Sequence, residues 1–303
     1  MKKRFGRYTV ETSREDKIFF PEDKITKGDL IEYYERIAET ILPHLRDRPL
    51  TMRRYPDGIK GESFFQKKIG DYFPDWIETK KVKKQGGTVT HVVCNNAATL
   101  VYLANQASIE LHPWLSRQDK PNYPDQLIID LDPSGDDFEQ VRFGAGVVKR
   151  LFDKLGLTAF LKTTGSKGLH VLVPLDRRAS FDQVRTFARD VGRLLAARHS
   201  EKLTTEARKA KRRGRLLIDI ARNAYAQTAI APYAVRAIPG APVAMPLDWD
   251  ELEDNKLHAQ SYNIKNVFPR LSRKPDPWKD LPRLRGSLNA ARRRLDEMLE
   301  QER

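Results

Sequence analysis

Apolar and polar residues recur along this chain with two periods. Between residues 26 and 45 the stripe Leu30, Ile31, Tyr34, Ile37, Ala38, Ile41 and Leu42 repeats at helical spacing, with Thr26 placed to cap it and Asp29 in the first turn. The pattern predicts one amphipathic helix with Pro43 near its end. Residues 49–55 read as a short strand closed by the turn Pro56-Asp57-Gly58. From there to about Gly87 no period holds, and the stretch reads as loop, with Phe64-Phe65 exposed in it and a lysine run behind. Residues 89–94 alternate as a strand, and 97–106 fit a short helix.

The middle of the chain is plainer. Gln126-Leu127-Ile128-Ile129-Asp130-Leu131-Asp132 is a strand whose end carries two acids. A helix over 138–155 follows, then strands over 158–162 and 169–173, a second amphipathic helix over 181–198 and a strand over 215–220. This strand–helix–strand–strand–helix–strand order predicts an α+β fold with an RRM-like sheet, helices on one face. The tail from Ala231 is punctuated by proline and ends in a helix over 287–301; no internal repeat interrupts the pattern.

Composition narrows the class. The 303 residues are 40% hydrophobic, enough for one large or two small domains with a real core. One cysteine, Cys94, excludes an intramolecular disulfide framework and multi-cysteine metal knuckles. No apolar run approaches the roughly 18 residues of a membrane span, and the basic start Met1-Lys2-Lys3-Arg4-Phe5 lacks the apolar segment of a secretory signal. The expected location is the cytoplasm, beside the nucleoid. Lysine plus arginine number 55 against 41 acids, a net +14 that asks for a polyanionic partner. Lys80, Lys81, Lys83 and Lys84 form one dense cluster, and Arg208, Lys209, Lys211, Arg212, Arg213 and Arg215 another. Either can be a nucleic-acid contact or a solvated face.

Asp130 and Asp132 lie two apart on a strand and so share a face. Two like charges there are costly without a cation. Asp219 ends another apolar strand, Leu216-Leu217-Ile218-Asp219. If the strands pair, three carboxylates converge, a hard oxygen set suited to Mg²⁺ or Mn²⁺. Two ions held about 4 Å apart would serve in-line phosphoryl transfer. Strand-ending turns also favour aspartate, and nucleases and glycosyltransferases use paired acids too. Between the two acid-bearing strands, Gly165-Ser166-Lys167-Gly168 precedes His170. Flanking glycines let backbone amides approach an anion, and Lys167 adds a point charge. The spacing is not that of a Walker A loop; a Gly-containing hairpin with a surface lysine is the plainer alternative, and position beside the acids favours a triphosphate site.

The runs LIIDLDPS, GSKGLHVLVPL and GRLLIDIARN, in this order and spacing, resemble the polymerase domain of bacterial DNA ligase D. FFPEDKITKGDLIEYYERIAETILPHLRDRPLTMRRYPDGIKGESFFQK and AATLVYLANQASIELHPWLS extend the likeness over nearly the whole chain. That family belongs to the archaeo-eukaryotic primase superfamily. The resemblance implies a single primase-polymerase domain, with an N-terminal DNA-binding subregion over about 1–120 and an RRM-like catalytic core over about 121–240. It implies a nucleotidyltransferase that fills gaps and extends DNA ends in non-homologous end joining, adds rNTPs or dNTPs with a ribonucleotide preference, and uses two Mn²⁺ or Mg²⁺ ions. A metal-dependent nuclease, which has no need of a triphosphate loop, and a non-catalytic end-binding module are the rival readings.

Residue by residue, the resemblance implies metal binding by Asp130, Asp132 and Asp219. It implies nucleotide-phosphate contacts from Ser166, Lys167 and His170; relatives often read Ser-Gly-Gly-Lys where this chain has Thr164-Gly165-Ser166-Lys167, so either hydroxyl can be the contact. His112 matches a histidine near the incoming sugar, a contact to a 2′-OH. Arg222 and Arg236 match basic residues near the nucleotide, and Arg53 is a further contact. Phe64 and Phe65 match a pair that stacks on the template base, with Lys67 beside them on the strand. Lys17 and Lys27 fall where relatives hold the downstream 5′-phosphate. No Lys-x-Asp-Gly ligase motif is present, so sealing is expected to come from elsewhere. The resemblance implies as partners a DNA ligase, a Ku-type end-binding protein, gapped DNA with a 5′-phosphate and NTP or dNTP, and no membrane.

Overall fold

In the computed structural model, residues 1–84 and 86–302 are described, and they gather into two compact units. The first takes Met1–Asp119, Thr228–Ala244 and Tyr262–Arg273; the second takes Lys120–Gln227, Met245–Ser261 and the chain from Lys274 onward.

The first unit begins with the hairpin β1 (Lys2–Phe5) and β2 (Tyr8–Glu11), then the short pair β3 (Ile18–Phe20) and β4 (Ile25–Thr26). The helical stripe at 26–45 forms two helices, α1 (Lys27–Arg36) and α2 (Ala38–Leu45). Thr26 and Asp29 close a reciprocal capping box at the start of α1, with Thr26 N–H donating to Asp29 Oδ2 at 2.7 Å. The single predicted helix breaks at Ile37. Pro43 falls inside α2, where it has no N–H for the carbonyl of Glu39. Tyr33 and Tyr34, buried on α1, donate their hydroxyls to the carbonyls of Tyr233 and Ile109.

A five-stranded sheet follows: β5 (Pro49–Arg54), β6 (Phe64–Gln66), β7 (Thr79–Lys84), β8 (Gly87–Val93) and β9 (Ser108–Pro113), with α3 (Ala97–Asn105) between β8 and β9 in sequence. β5 pairs antiparallel with β6, β8 and β9, and β7 with β8. Two segments read as loop are therefore strands. Residues 64–66 form a three-residue edge too short to show a period. Thr79–Lys84 has Val82 as its one apolar side chain and is held by its ladder to β8.

The second unit carries the strand–helix–strand–strand–helix–strand order expected from the sequence. β10 (Gln126–Asp132), α4 (Phe138–Leu155), β11 (Phe160–Thr163), β12 (Leu169–Pro174), α5 (Phe181–Arg198), β13 (Leu203–Thr204), β14 (Leu216–Asp219) and β15 (Pro246–Leu247) build a sheet in the order β13-β14-β10-β12-β11-β15. All pairs are antiparallel except β13 with β14. Asp137 caps α4, Gly156 ends it with φ +74°, and Ser180 and Gln183 form a capping box on α5. Both helices pack on the sheet, α4 against β10, β12 and β14, and α5 against β10, β13 and β14. Val148, Leu151 and Phe152 of α4 and Val184, Phe187 and Val191 of α5 are buried, each worth about 1.5–3 kcal/mol of transfer free energy. The fold is α+β. Among the described residues no helix is long and apolar enough to cross a membrane.

Candidate active site

The register of the second unit's sheet lines up four polar residues. Lys162 on β11 is opposite His170 on β12, His170 is opposite Asp130 on β10, and Asp130 is opposite Asp219 on β14. Directly opposed residues share a face, so these side chains form one row across four neighbouring strands. Leu131, next to Asp130, points the other way and lies against Gly144 of α4. The apolar face is therefore the helix-covered one, and the acids sit on its reverse. Asp132 shares their face, opposite Leu217.

Electrostatics differ sharply along the row. Burial opposes ionisation of Asp130, but His170, 3.4 Å away, and Arg222, 3.3 Å away, outweigh it and hold the carboxyl at about 2. Burial, with the Lys162 ammonium adding to it, pulls the His170 imidazole down to about 4 against the pull of Asp130, so the ring is neutral near pH 7. Burial raises Asp219, and the charges of Asp130 and Asp132 add to that; the Ala221 amide, donating at 2.7 Å, works against it. Asp132 leans on Arg212 at 2.9 Å. Three carboxyl groups on one face, one of them destabilised as an anion by the others, are hard oxygen donors whose repulsion a divalent cation would relieve. Among the described residues, the acids whose oxygens all lie within 4.8 Å of one another are a different set, Asp248, Asp250 and Glu251. There Lys274 already supplies the counter-charge, 2.9 Å from both Asp248 and Asp250.

The loop from β11 to β12 is braced from within. The Thr164 hydroxyl donates to the Gly168 carbonyl at 3.1 Å and accepts the amides of Ser166 and Gly168. Gly165 takes φ +65°, and a Cβ on Gly168 would stand 1.9 Å from the Leu131 carbonyl oxygen. Glycine at 168 is thus what lets this loop lie against the acid-bearing strand. Thr164 is buried in this bracing, whereas Ser166 is half-exposed and Lys167 exposed, 3.4 Å from Asp136.

The other predicted residues belong to the first unit. On its sheet Arg53 lies between Glu110 of β9 and Phe65 of β6, and His112 is two residues along from Glu110 on the same face. The guanidinium of Arg53 stands 5.3 Å over the Phe65 ring, that of Arg54 stands 5.4 Å over Phe64, and His112 meets Phe65 edge-on at 5.8 Å. Phe64 and Phe65 are 47% and 57% exposed, so both rings are open to solvent despite pointing to opposite faces of the strand. Arg236 reaches Glu110 at 3.3 Å. Lys67 is exposed just past β6. Lys27 is buried, its ammonium 2.5 Å from the Ser13 carbonyl, and burial, then Arg14 and Lys17, lower its pKa. Lys17 pairs with Asp57 at 2.6 Å. The structure thus assembles Asp130, Asp132, Asp219, Thr164, Ser166, Lys167, His170 and Arg222 in one unit, and Lys17, Lys27, Arg53, Phe64, Phe65, Lys67, His112 and Arg236 in the other.

Three residues escaped the sequence reading. Glu110 and Lys162 sit inside apolar strand runs, where a charged residue at an inward position was the only signal. Arg212 lay among five similar neighbours. Arg208, Lys209, Lys211 and Arg213 are exposed, but Arg212 is buried and bonds to the Ala207 and Glu206 carbonyls as well as to Asp132. The other dense cluster lies on β7, where Lys81 and Lys83 are exposed; the side chain of Lys84 lies outside the described residues.

A sheet that sets paired acids beside a glycine-flanked lysine loop, with helices covering the reverse face, has the build of a metal-dependent nucleotidyltransferase. Residues 26–278 match the family described as "LigD, primase-polymerase domain", and the chain belongs to that family. It is 35% identical over 271 residues to the bifunctional non-homologous end joining protein LigD of Bacillus subtilis, a match covering 88% of this chain and 43% of that protein. It is 34% identical over 288 residues to the multifunctional LigD of Pseudomonas aeruginosa, covering 94% of this chain and 34% of that protein. The chain therefore spans less than half the length of these relatives. Among solved structures, the polymerase domain from Mycobacterium tuberculosis ligase D in complex with DNA superposes with a TM-score of 0.86 at 31% identity, covering 91% of this chain and 99% of that one.

Proposed function

We propose that the chain is a template-directed nucleotidyltransferase that fills gaps and extends DNA ends in non-homologous end joining, adding rNTPs or dNTPs. The observation that carries this reading is the placement of Asp130 and Asp219 opposite each other, with His170 alongside and the Gly165–Gly168 loop folded against the same strand. Acids that gather cations and a loop that receives phosphates then belong to one surface, which a nuclease does not require.

In this reading Asp130, Asp132 and Asp219 hold two divalent ions, Mn²⁺ or Mg²⁺, which when bound lower the pKa of the attacking 3′-hydroxyl and stabilise the leaving pyrophosphate. Ser166 and Lys167 hold triphosphate oxygens, with Thr164 bracing the loop beside them through its hydrogen bonds. His170 lies beside Asp130 at the triphosphate, and Arg222, partly exposed, adds positive charge. His112 contacts the sugar, with Arg53 and Arg236 on the nucleotide. Phe64 and Phe65 stack on the template, and Lys67 tracks its backbone. Lys17 and Lys27 take the downstream 5′-phosphate. A ligase and a Ku-type end-binding protein are the partners that such a polymerase needs to finish a repair.

Incubation with a labelled primer on a gapped duplex bearing a downstream 5′-phosphate, with Mn²⁺ and rNTPs or dNTPs, tests the reading. Lengthening of the primer supports it, shortening supports a nuclease, and binding without a change in length supports an end-binding module.

A further inference from the structure

Glu110 on β9 is a deeply buried charged group, with a side chain only 3% exposed. An isolated carboxylate there would be costly to bury, and its burial is compensated from four directions. Oε2 accepts from His112 Nε2 at 3.0 Å and lies 3.9 Å from the Arg53 guanidinium. Oε1 accepts the Ala237 amide at 3.2 Å and lies 3.3 Å from Arg236 Nε. Three side chains from three separate stretches, β5, β9 and the segment after Thr228, therefore converge on one anion. Each of the three is more exposed than the anion itself, so the arrangement is a cationic surface built over a hidden counter-charge.

We propose that Glu110 is a positioning residue for nucleotide recognition and sets the preference for the sugar. Two guanidiniums side by side repel unless a charge lies between them, so the carboxylate fixes their spacing. The bond between His112 Nε2 and the carboxylate holds the ring in one orientation, the one set against a sugar hydroxyl in this reading. A deoxyribose lacking that hydroxyl gains nothing from it. Phe65, edge-on to His112 and under Arg53, is placed by the same set. The inference rests on the nucleotide-binding roles proposed above for His112, Arg53 and Arg236.

The test measures kcat and KM for a matched rNTP and dNTP on a 5′-phosphorylated gap, using the intact chain and the variants Glu110→Gln, Glu110→Ala, His112→Ala and Arg236→Ala. Thermal melting and affinity for the gapped DNA are measured in parallel. Glu110→Gln keeps the shape and removes the charge. It is expected to raise KM for the rNTP about tenfold, the scale of one charge-assisted hydrogen bond, and to narrow the rNTP-to-dNTP ratio toward that of His112→Ala, with gap affinity unchanged. Wild-type KM and ratio in both Glu110 variants, with His112→Ala and Arg236→Ala impaired, would overturn the proposal. So would a uniform loss of melting temperature, kcat and DNA affinity in Glu110→Gln, which marks a merely structural charge. If His112→Ala and Arg236→Ala both behave as wild type, the underlying nucleotide reading fails instead.

Discussion

Asp130 and Asp219 stand directly opposite each other across β10 and β14, yet they ionise in opposite senses: the first is held at about 2, the second raised. The difference is local. Asp130 has His170 and Arg222 against it, while Asp219 has one backbone amide and the repulsion of its neighbours. A sheet that spends two strand ends on such a pair gains nothing in stability from it, because like charges on one face raise the energy of the folded chain. The pair makes physical sense as a receptor for positive charge.

Asp130→Ala is accordingly expected to abolish nucleotide addition while leaving DNA binding close to wild type, since the strand-binding residues proposed here lie in the other unit. Loss of a metal-holding carboxylate removes roughly several kcal/mol of transition-state charge stabilisation. Primer extension alongside a gel-shift titration checks it. Addition that survives in the variant would dismiss the metal-binding role of the row.

Gly168→Ala tests the loop without touching a charge. A Cβ there meets the Leu131 carbonyl oxygen at 1.9 Å, and neither backbone can yield without parting β12 from β10. Overpacking of this kind costs about 1–3 kcal/mol. The expected outcome is a lower urea midpoint together with weakened nucleotide use. An unchanged midpoint would show that the loop has room to move away.

How much of this was readable beforehand depended on whether a residue's role was set by its near neighbours in sequence. α4 and α5 are long, amphipathic and capped by Asp137 and Ser180, so local pattern alone placed them. β10 announces itself through the apolar run Leu127-Ile128-Ile129 followed by the alternation Asp130-Leu131-Asp132. Thr79–Lys84 could not announce itself, because its strand character comes from pairing with β8 and five of its six side chains are polar. The same reason hid Arg212. Its partner Asp132 is 80 positions away, and nothing in a run of six basic residues distinguishes the one that folds inward. Glu110 was invisible on the same ground, its cationic partners arriving from Arg53 and Arg236.

Glu110 also carries a pH signature. Burial alone would raise its carboxyl, but the His112 hydrogen bond and the Arg236 charge overcome this and leave it lowered. A carboxyl depressed on folding stabilises the native state above its unfolded value, about 4.3, and that contribution fades as pH falls through the folded value. Urea midpoints of the wild type should therefore drop as pH falls below about 4.3, and the part of the drop due to this residue should vanish in Glu110→Gln. Parallel curves for the two proteins over that window would contradict the assignment.

Lys27→Ala is expected to weaken binding to gapped DNA carrying a downstream 5′-phosphate and to leave the unphosphorylated gap unaffected. The ammonium is buried against the Ser13 carbonyl, and that burial first, then the charges of Arg14 and Lys17, lower its pKa, so positive charge is already crowded there. An arriving dianion relieves that crowding. A charge-assisted contact of this sort is worth about 1.5–3 kcal/mol, a difference that fluorescence anisotropy resolves easily. Equal weakening on both substrates would reassign Lys27 to the fold of the Ser13 turn.

Phe64→Ala bears on the template side. Both rings of the Phe64-Phe65 pair stand open to solvent on an edge strand, and each lies under a guanidinium, Arg54 over the first and Arg53 over the second. An exposed ring already carrying a cation on one side has its remaining surface available to a base. Truncating Phe64 removes that surface, at about 1–3 kcal/mol per stacked base, without opening an enclosed cavity, because the residue is 47% exposed. Templated addition on a one-nucleotide gap should fall accordingly, while the melting temperature stays within a degree or so of wild type, as surface substitutions shift stability by only about 0.5 kcal/mol. A variant that melts early and extends normally would mean that the ring serves the sheet and not the template.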